Sequence, residues 1–163
     1  LWGLRHVDQA EDGPRQFAGL LERAAESMEH WPRGALTVTI AGEPYALSRH
    51  VMGSLLLLMQ EAVGNAFKHG TAKTVRITLY YTPNEFAMEL VDDGTGFDAA
   101  AAPGTTDGHY GLESMRHRMH WLGGDAAITS RPGAGATVSV HLPRARAQSG
   151  DEGEDDKSQR KTD

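Results

Sequence analysis

The chain has 163 residues, 39% hydrophobic and 23% charged, which is enough for one domain with a real core. Its net charge of −6 is uneven: Asp151 to Asp163 holds six acids against three bases, and the remainder is too mildly acidic to suggest electrostatic binding of DNA or RNA. The absence of cysteine excludes disulfides and thiolate metal sites, which fits a reducing compartment.

Residues 1–14 read as an irregular lead-in, broken at Gly13-Pro14. A helix is expected over 15–30, where Phe17, Leu20, Leu21, Ala24, Ala25 and Met28 fall near one face, and Trp31-Pro32 ends it. Leu36, Val38 and Ile40 alternate with Thr37 and Thr39 as in a strand, and Ala41-Gly42-Glu43-Pro44 reads as a turn. A long helix spans about 47–69, with Gly70 as its stop. Alternation at Val75, Ile77, Leu79 and Tyr81 and then at Phe86, Met88 and Leu90 predicts a hairpin turning at Pro83-Asn84.

Beyond Asp92-Asp93-Gly94-Thr95-Gly96, the loop to Gly108 lacks a sizeable hydrophobic face. A helix over about 110–122 puts Leu112, Met115, Met119 and Leu122 inward, and Gly123-Gly124 ends it. Strands at 127–129 and 137–141 flank a turn at 132–135. From Arg144 the composition predicts a disordered, charged tail.

The expected organisation is a lead-in and first helix at 1–34, a core at 35–143 and a tail at 144–163. Hairpins with helices that can all lie on one face suggest a two-layer α/β sandwich. The longest purely apolar run, Leu55 to Met59, is too short to cross a bilayer, and no signal peptide is evident. The chain starts with Leu rather than Met, so it reads as a piece of a longer protein.

Three stretches carry candidate chemistry. In QEAVGNAFKHG, Gln60 to Gly70, Glu61 taken as zero places Asn65 near 40°, Lys68 near −20° and His69 near 80° around the helix, at about 100° per residue. The four share one face of a helix that is otherwise largely apolar. Such groups are costly unless paired or facing a wet cavity, so the stripe is either an ordinary solvated face or the floor of a site. VDDGTGF, Val91 to Phe97, reads as a hairpin turn or a site loop. Gly94, Gly96 and Ala99 fit a dinucleotide fingerprint on paper, but Pro103 and Gly104 leave no room for the helix it needs, and no phosphate-binding P-loop sequence is present. In DGHYGLESMRHRM, Gly108 and Gly111 flank a helix start, which offers free N–H groups and a favourable dipole for phosphate, or is simply a flexible loop. His117 and His120, three apart, lack a third ligand nearby and read as surface groups.

Taken together, Glu-x-x-x-Asn-x-x-Lys-His, Asp-x-Gly-x-Gly, Gly-x-x-Gly-Leu and Pro-Gly-x-Gly-x-Thr occur in that order. The set resembles the ATP-binding domain shared by gyrase, Hsp90, histidine kinases and MutL, over about residues 36–143. It looks most like the catalytic domain of a bacterial sensor histidine kinase, and its Gly-Leu-x-x-Met-Arg-x-Arg helix resembles the subfamily that works with LuxR-type response regulators.

The resemblance implies a Bergerat-type fold, a mixed and mostly antiparallel sheet with helices on one face, that binds ATP with Mg2+. By it, Asp92 resembles the carboxylate that accepts from the adenine amino group, Gly94 and Gly96 would admit the ring, and Thr137 resembles the hydroxyl supporting Asp92. Asn65 resembles the Mg2+ ligand. Glu61 resembles the acid near the attacking group or a metal-bound water, and Lys68 and His69 would face phosphate oxygens. Gly108 and Gly111 resemble the hinge and phosphate-facing end of the ATP lid, with Leu112 completing that nucleotide-binding motif.

The reaction implied is transfer of the γ-phosphoryl group to a histidine of a dimerisation domain in the same, cytoplasmic or inner-membrane, parent. None of the eight histidines here is followed by Asp or Glu, as the family's acceptor is. The competing assignments are a serine kinase that sequesters a sigma factor and a non-catalytic ATP-binding module of the same superfamily.

Overall fold

Alternating burial along the strands produces a five-stranded sheet with one lined face. The computed structural model describes residues 14–27, 35–98 and 109–149. Along the chain these form α1 (Gln16–Ser27), β1 (Leu36–Gly42), α2 (Arg49–Lys68), β2 (Val75–Tyr81), β3 (Glu85–Asp92), α3 (His109–Trp121), β4 (Asp125–Ser130), β5 (Ala136–Pro143) and α4 (Arg144–Ser149). The sheet order is β1-β2-β3-β5-β4. Only β1 and β2 run parallel, with Leu36 opposite Val75, and the twenty-residue α2 makes the crossover that a parallel pair requires. The other neighbours are antiparallel, joined through β2–β3 and β4–β5 hairpins.

The core lies between one sheet face and the helices. Val75, Ile77, Leu79 and Tyr81 of β2, Phe86, Met88 and Leu90 of β3, and Val138, Val140 and Leu142 of β5 all point into it. Phe17 and Leu21 of α1, nine residues of α2 and Met115 and Met119 of α3 cover them. Ser48 caps α2, its Oγ accepting from the Val51 N–H at 3.2 Å. The expected helices and strands are all present, with described ends that agree or differ by one to three residues.

Two expectations change. Gly42, expected in a turn, ends β1 opposite Tyr81. Arg144–Ser149, expected to begin a disordered tail, is helix α4. Ala147 explains why: it is fully buried, and its carbonyl accepts from the Ser48 N–H at 2.9 Å. Arg144 also lies 4.2 Å from the centre of the Tyr45 ring, a cation–π contact that fixes the start of the helix. The remainder of the expected tail, 150–163, and the lead-in, 1–13, lie outside the described residues. No described helix is long and apolar enough to cross a membrane.

Candidate active site

The core-facing positions of β3 run Phe86, Met88, Leu90 and then Asp92. Strand periodicity thus delivers a carboxylate where the pattern calls for an apolar side chain. Asp92 is only 8% exposed. Its Oδ1 accepts the Gly94 N–H at 2.8 Å, and its Oδ2 has no hydrogen-bond partner among the described residues. Oδ2 is not among the fully buried unpartnered side-chain atoms, so it reaches an opening in the surface, and the position is suited to receive a donor from outside.

A continuous set of backbone bonds links Asp92 to the end of α2. The Thr95 N–H donates to the Gly70 carbonyl at 2.7 Å, and the N–H groups of both Gly70 and His69 donate to the Asn65 carbonyl at 3.0 Å. Asn65 is half-buried, and its Nδ2 donates to Glu61 Oε1 at 3.3 Å across one turn. That bond uses the Asn65 amide N–H and one Glu61 oxygen, leaving Asn65 Oδ1 and the second Glu61 oxygen as hard oxygen donors. Lys68 and His69 are exposed at the C-terminal end of the same helix, where His69 is the C-cap. The stripe of Glu61, Asn65, Lys68 and His69 therefore lies on one flank of the approach to Asp92.

The glycines have a local reason within the protein itself. A Cβ on Gly94 would sit 2.5 Å from the Gly70 carbonyl oxygen and 2.9 Å from Asp92 Oδ1. Gly96 has φ +61, and its Cβ would collide with the Arg131 carbonyl. The atoms excluding side chains are thus backbone carbonyls together with the Asp92 carboxylate, which seat the 93–97 loop between α2 and the β4–β5 hairpin. The Gly133 N–H to the Thr95 carbonyl, 2.6 Å, and the Phe97 N–H to Ser130 Oγ, 2.9 Å, complete that seat.

Thr137 requires a correction. It pairs with Val91 on one side and Thr129 on the other. It therefore shares their sheet face, opposite to that of Asp92, Leu90 and Val138, and cannot support the Asp92 carboxylate. The residue of that hairpin against Asp92 is Gly135, with φ +70, whose Cβ would collide with the Asp92 carbonyl. Thr137 instead lines a cleft of about 550 Å3 with Asp98, Ser130, Arg131, Ala134 and Gly135. Gly111 lies within the first turn of α3, with Leu112 next to it, and Gly108 falls outside the described residues.

Sequence reasoning passed over Asp93. Its Oδ1 accepts from the N–H groups of Lys73 (2.7 Å) and Thr74 (2.9 Å), and its Oδ2 from Thr74 Oγ1 (2.8 Å). The bonds from Thr74, with that from Lys73, hold the Asp93 carboxyl below its ordinary range. Asp93 clamps the α2–β2 connection to the end of β3, so the second of two adjacent aspartates positions the first. The Asp-Asp-Gly turn signal was the available cue.

Residues 52–146 match the family described as histidine kinase-, DNA gyrase B- and HSP90-like ATPases. The chain belongs to that family. Over 98 residues it is 32% identical to the sensor histidine kinase LiaS of Bacillus subtilis, covering 60% of this chain and 26% of LiaS. Over 129 residues it is 28% identical to the nitrate/nitrite sensor protein NarQ of Escherichia coli, covering 78% of this chain and 22% of NarQ. It thus spans about a quarter of the length of these curated relatives. The ATP-binding domain of PrrB from Mycobacterium tuberculosis superposes with a TM-score of 0.57 at 25% identity, over 77% of this chain and 91% of that one.

Proposed function

We propose that the chain is the ATP-binding catalytic domain of a sensor histidine kinase, passing the γ-phosphoryl group of ATP to a histidine on the dimerisation domain of its parent. The buried Asp92 carboxylate, with one oxygen held by Gly94 and the other unpartnered, is the observation that carries this reading. An adenine amino group is a donor of the right kind for it. From there the backbone link through Gly70 leads to Asn65 and Glu61, where the phosphates would lie.

The residues present fit a magnesium ion. Among the described residues no group of three metal-binding acids or histidines exists, and Mg2+ does not require one, since it usually takes one or two protein oxygens with substrate phosphates and water. Asn65 Oδ1 would be its protein ligand, with Glu61 positioned to hold one of its waters. When bound, the ion neutralises charge on the phosphate oxygens. The protein's part in phosphoryl transfer is positioning and charge stabilisation. Lys68 and His69 offer N–H groups to phosphate at the helix end. A neutral imidazole acceptor already has a free lone pair, so Glu61 acts first by ordering its surroundings and only second as a base. The first turn of α3, with Gly111 and Leu112, would close the phosphate side, and Gly108 would serve as the lid hinge. The likeness to LiaS and NarQ supports a response regulator as the next acceptor, and the Gly-Leu-x-x-Met-Arg-x-Arg helix favours one of LuxR type. Such a site would face the cytoplasm, whether or not the parent is membrane-anchored.

The test is to mix this chain with ATP, Mg2+ and the dimerisation segment of the parent protein. Acid-labile phosphohistidine should form on that segment, and its absence despite measurable ATP binding would remove the transferase assignment. Asn65→Ala should abolish the metal-dependent part of ADP affinity, a loss of roughly tenfold on the scale of other weakened metal sites. Equal affinity of the unsubstituted chain with and without Mg2+ would remove Asn65 from its role.

A further inference from the structure

Away from the candidate site, α2 and α3 leave a second groove of about 320 Å3 between them, lined by His50 and Ser54 of α2 and Ser114, His117, Arg118 and Trp121 of α3. The α3 residues recur at helical spacing and form one face. Trp121 is 50% exposed, and so to the same degree is Leu57, the next residue along the α2 stripe. The Trp121 Nε1–H donates to His117 Nε2 at 3.1 Å, with the two rings edge-to-face at 5.9 Å. That bond makes Nδ1 the protonated nitrogen of a neutral His117, so the groove presents a donor. Arg118 has no ion-pair partner among the described residues. The groove is therefore part apolar and part basic, and none of its groups is engaged by Glu61, Asn65 or Asp92.

Helix α4 packs at the end of this groove. Ala147 bonds to Ser48, immediately before α2, and the Arg146 side chain lies against Gly123, immediately after α3. The first residues past Ser149 read Gly-Asp-Glu-Gly-Glu-Asp-Asp, five acids between Asp151 and Asp156, while Lys157, Arg160 and Lys161 come only after them. We propose that the acidic segment Asp151–Asp156 docks in the α2–α3 groove, its carboxylates on Arg118, His117 and His50.

The reach is sufficient. Seven residues from Gly150 span roughly 23 Å when extended, and α2 rises only about 10 Å from His50 to Leu57. Exposed ion pairs are individually weak, but a short tether holds the segment at an effective concentration of order millimolar, which compensates. The attraction is electrostatic and solvent-facing, so salt weakens it.

Because the chain has no cysteine, Gly153→Cys accepts a single nitroxide label without removing an acid. In nuclear magnetic resonance spectra of the dilute full chain at low salt, the label should reduce the amide and indole signals of Ser114, His117 and Trp121 about twofold or more. Those signals should recover at half-molar salt, and with Arg118→Glu at low salt. The salt arm needs no substitution, so it stands even if that variant folds poorly. Unaffected groove signals at low salt, or broadening centred elsewhere on the molecule, overturn the proposal. So does broadening seen only when labelled and isotope-enriched molecules are mixed, which would make the occupant a second copy.

Discussion

At one end of the core-facing sheet surface, β2 and β3 meet at Tyr81 and Phe86; at the other, the same two strands meet at Val75 and Asp92. The first end is filled by rings. Tyr81 packs edge-on to Tyr45 at 5.1 Å and to Phe86 at 5.2 Å, Phe17 closes on Phe86 at 6.1 Å, and Arg144 covers Tyr45. The second end has a carboxylate, three close-packed glycines and a helix terminus with a polar stripe. Both are built on one continuous alternation, so strand geometry does not separate them. The choice of side chain does: filling one end supplies the stability that lets the other end keep a buried polar group in wait for a ligand.

If that division is right, substitutions at the ring end should alter stability and leave binding alone. The largest effect expected is from Phe86→Ala, at a fully buried position, with a loss of about 3–5 kcal/mol on the scale of other core truncations. Urea unfolding should show it, and the fraction still folded should bind ADP as before. A variant that stays stable but loses affinity would show that the two ends are not separable.

The reverse holds for Asp92→Asn. The amide can still accept the Gly94 N–H, so unfolding in the absence of nucleotide should change little. A hydrogen bond to a charged group contributes about 1.5–3 kcal/mol, so affinity for ADP should fall roughly ten- to hundredfold in a calorimetric titration. Undiminished affinity would remove Asp92 from adenine recognition and with it the proposed function.

A smaller change is expected from Tyr81→Phe. The hydroxyls of Tyr81 and Tyr45 are buried with no hydrogen-bond partner among the described residues. Removing the Tyr81 hydroxyl should be neutral or add about 1 kcal/mol, since an unsatisfied group is lost. Burial, with Tyr45 second, pushes the Tyr81 phenol up to about 12. The unfolded chain then releases its proton near pH 10 and the folded chain does not, so stability should fall between pH 10 and 12. The phenylalanine variant should lose less stability across that window.

The order and type of the strands and helices were legible because each carries an unambiguous period, as in Val75-Ile77-Leu79-Tyr81. Asn65 stood out as a candidate because a polar stripe interrupts an otherwise apolar helix, and Asp92 because it opens the Asp-x-Gly-x-Gly motif. What escaped was whatever depends on chain segments far apart in sequence. Placing Thr137 on the wrong side of the sheet followed from reading a motif without its register, which only the pairing with Val91 settles. Helix α4 escaped because its six residues carry a single buried side chain, Ala147, and the contact that orders it comes from Ser48, a hundred positions earlier. The parallel pairing of β1 with β2 likewise has no local signature.

Asp93 offers the most discriminating of the milder tests, because it sits at the binding end yet its bonds all go to the protein. Its carboxyl titrates below the ordinary range, chiefly through the Thr74 bonds. A depressed acid stabilises the fold above the unfolded value, about 3.9, and that contribution is lost as pH falls through the folded value. Asp93 is exposed, so the effect on melting temperature at neutral pH should be small, with its acid-side decline absent from Asp93→Ala. The substitution also releases Lys73 and Thr74 from the end of β3, so ADP affinity should drop moderately, less than for Asp92→Asn. Affinity unchanged by Asp93→Ala would mean that Gly94 and Gly70 hold Asp92 in place without the clamp; a loss as large as that of Asp92→Asn would mean that the carboxylate's position, rather than its charge alone, governs recognition.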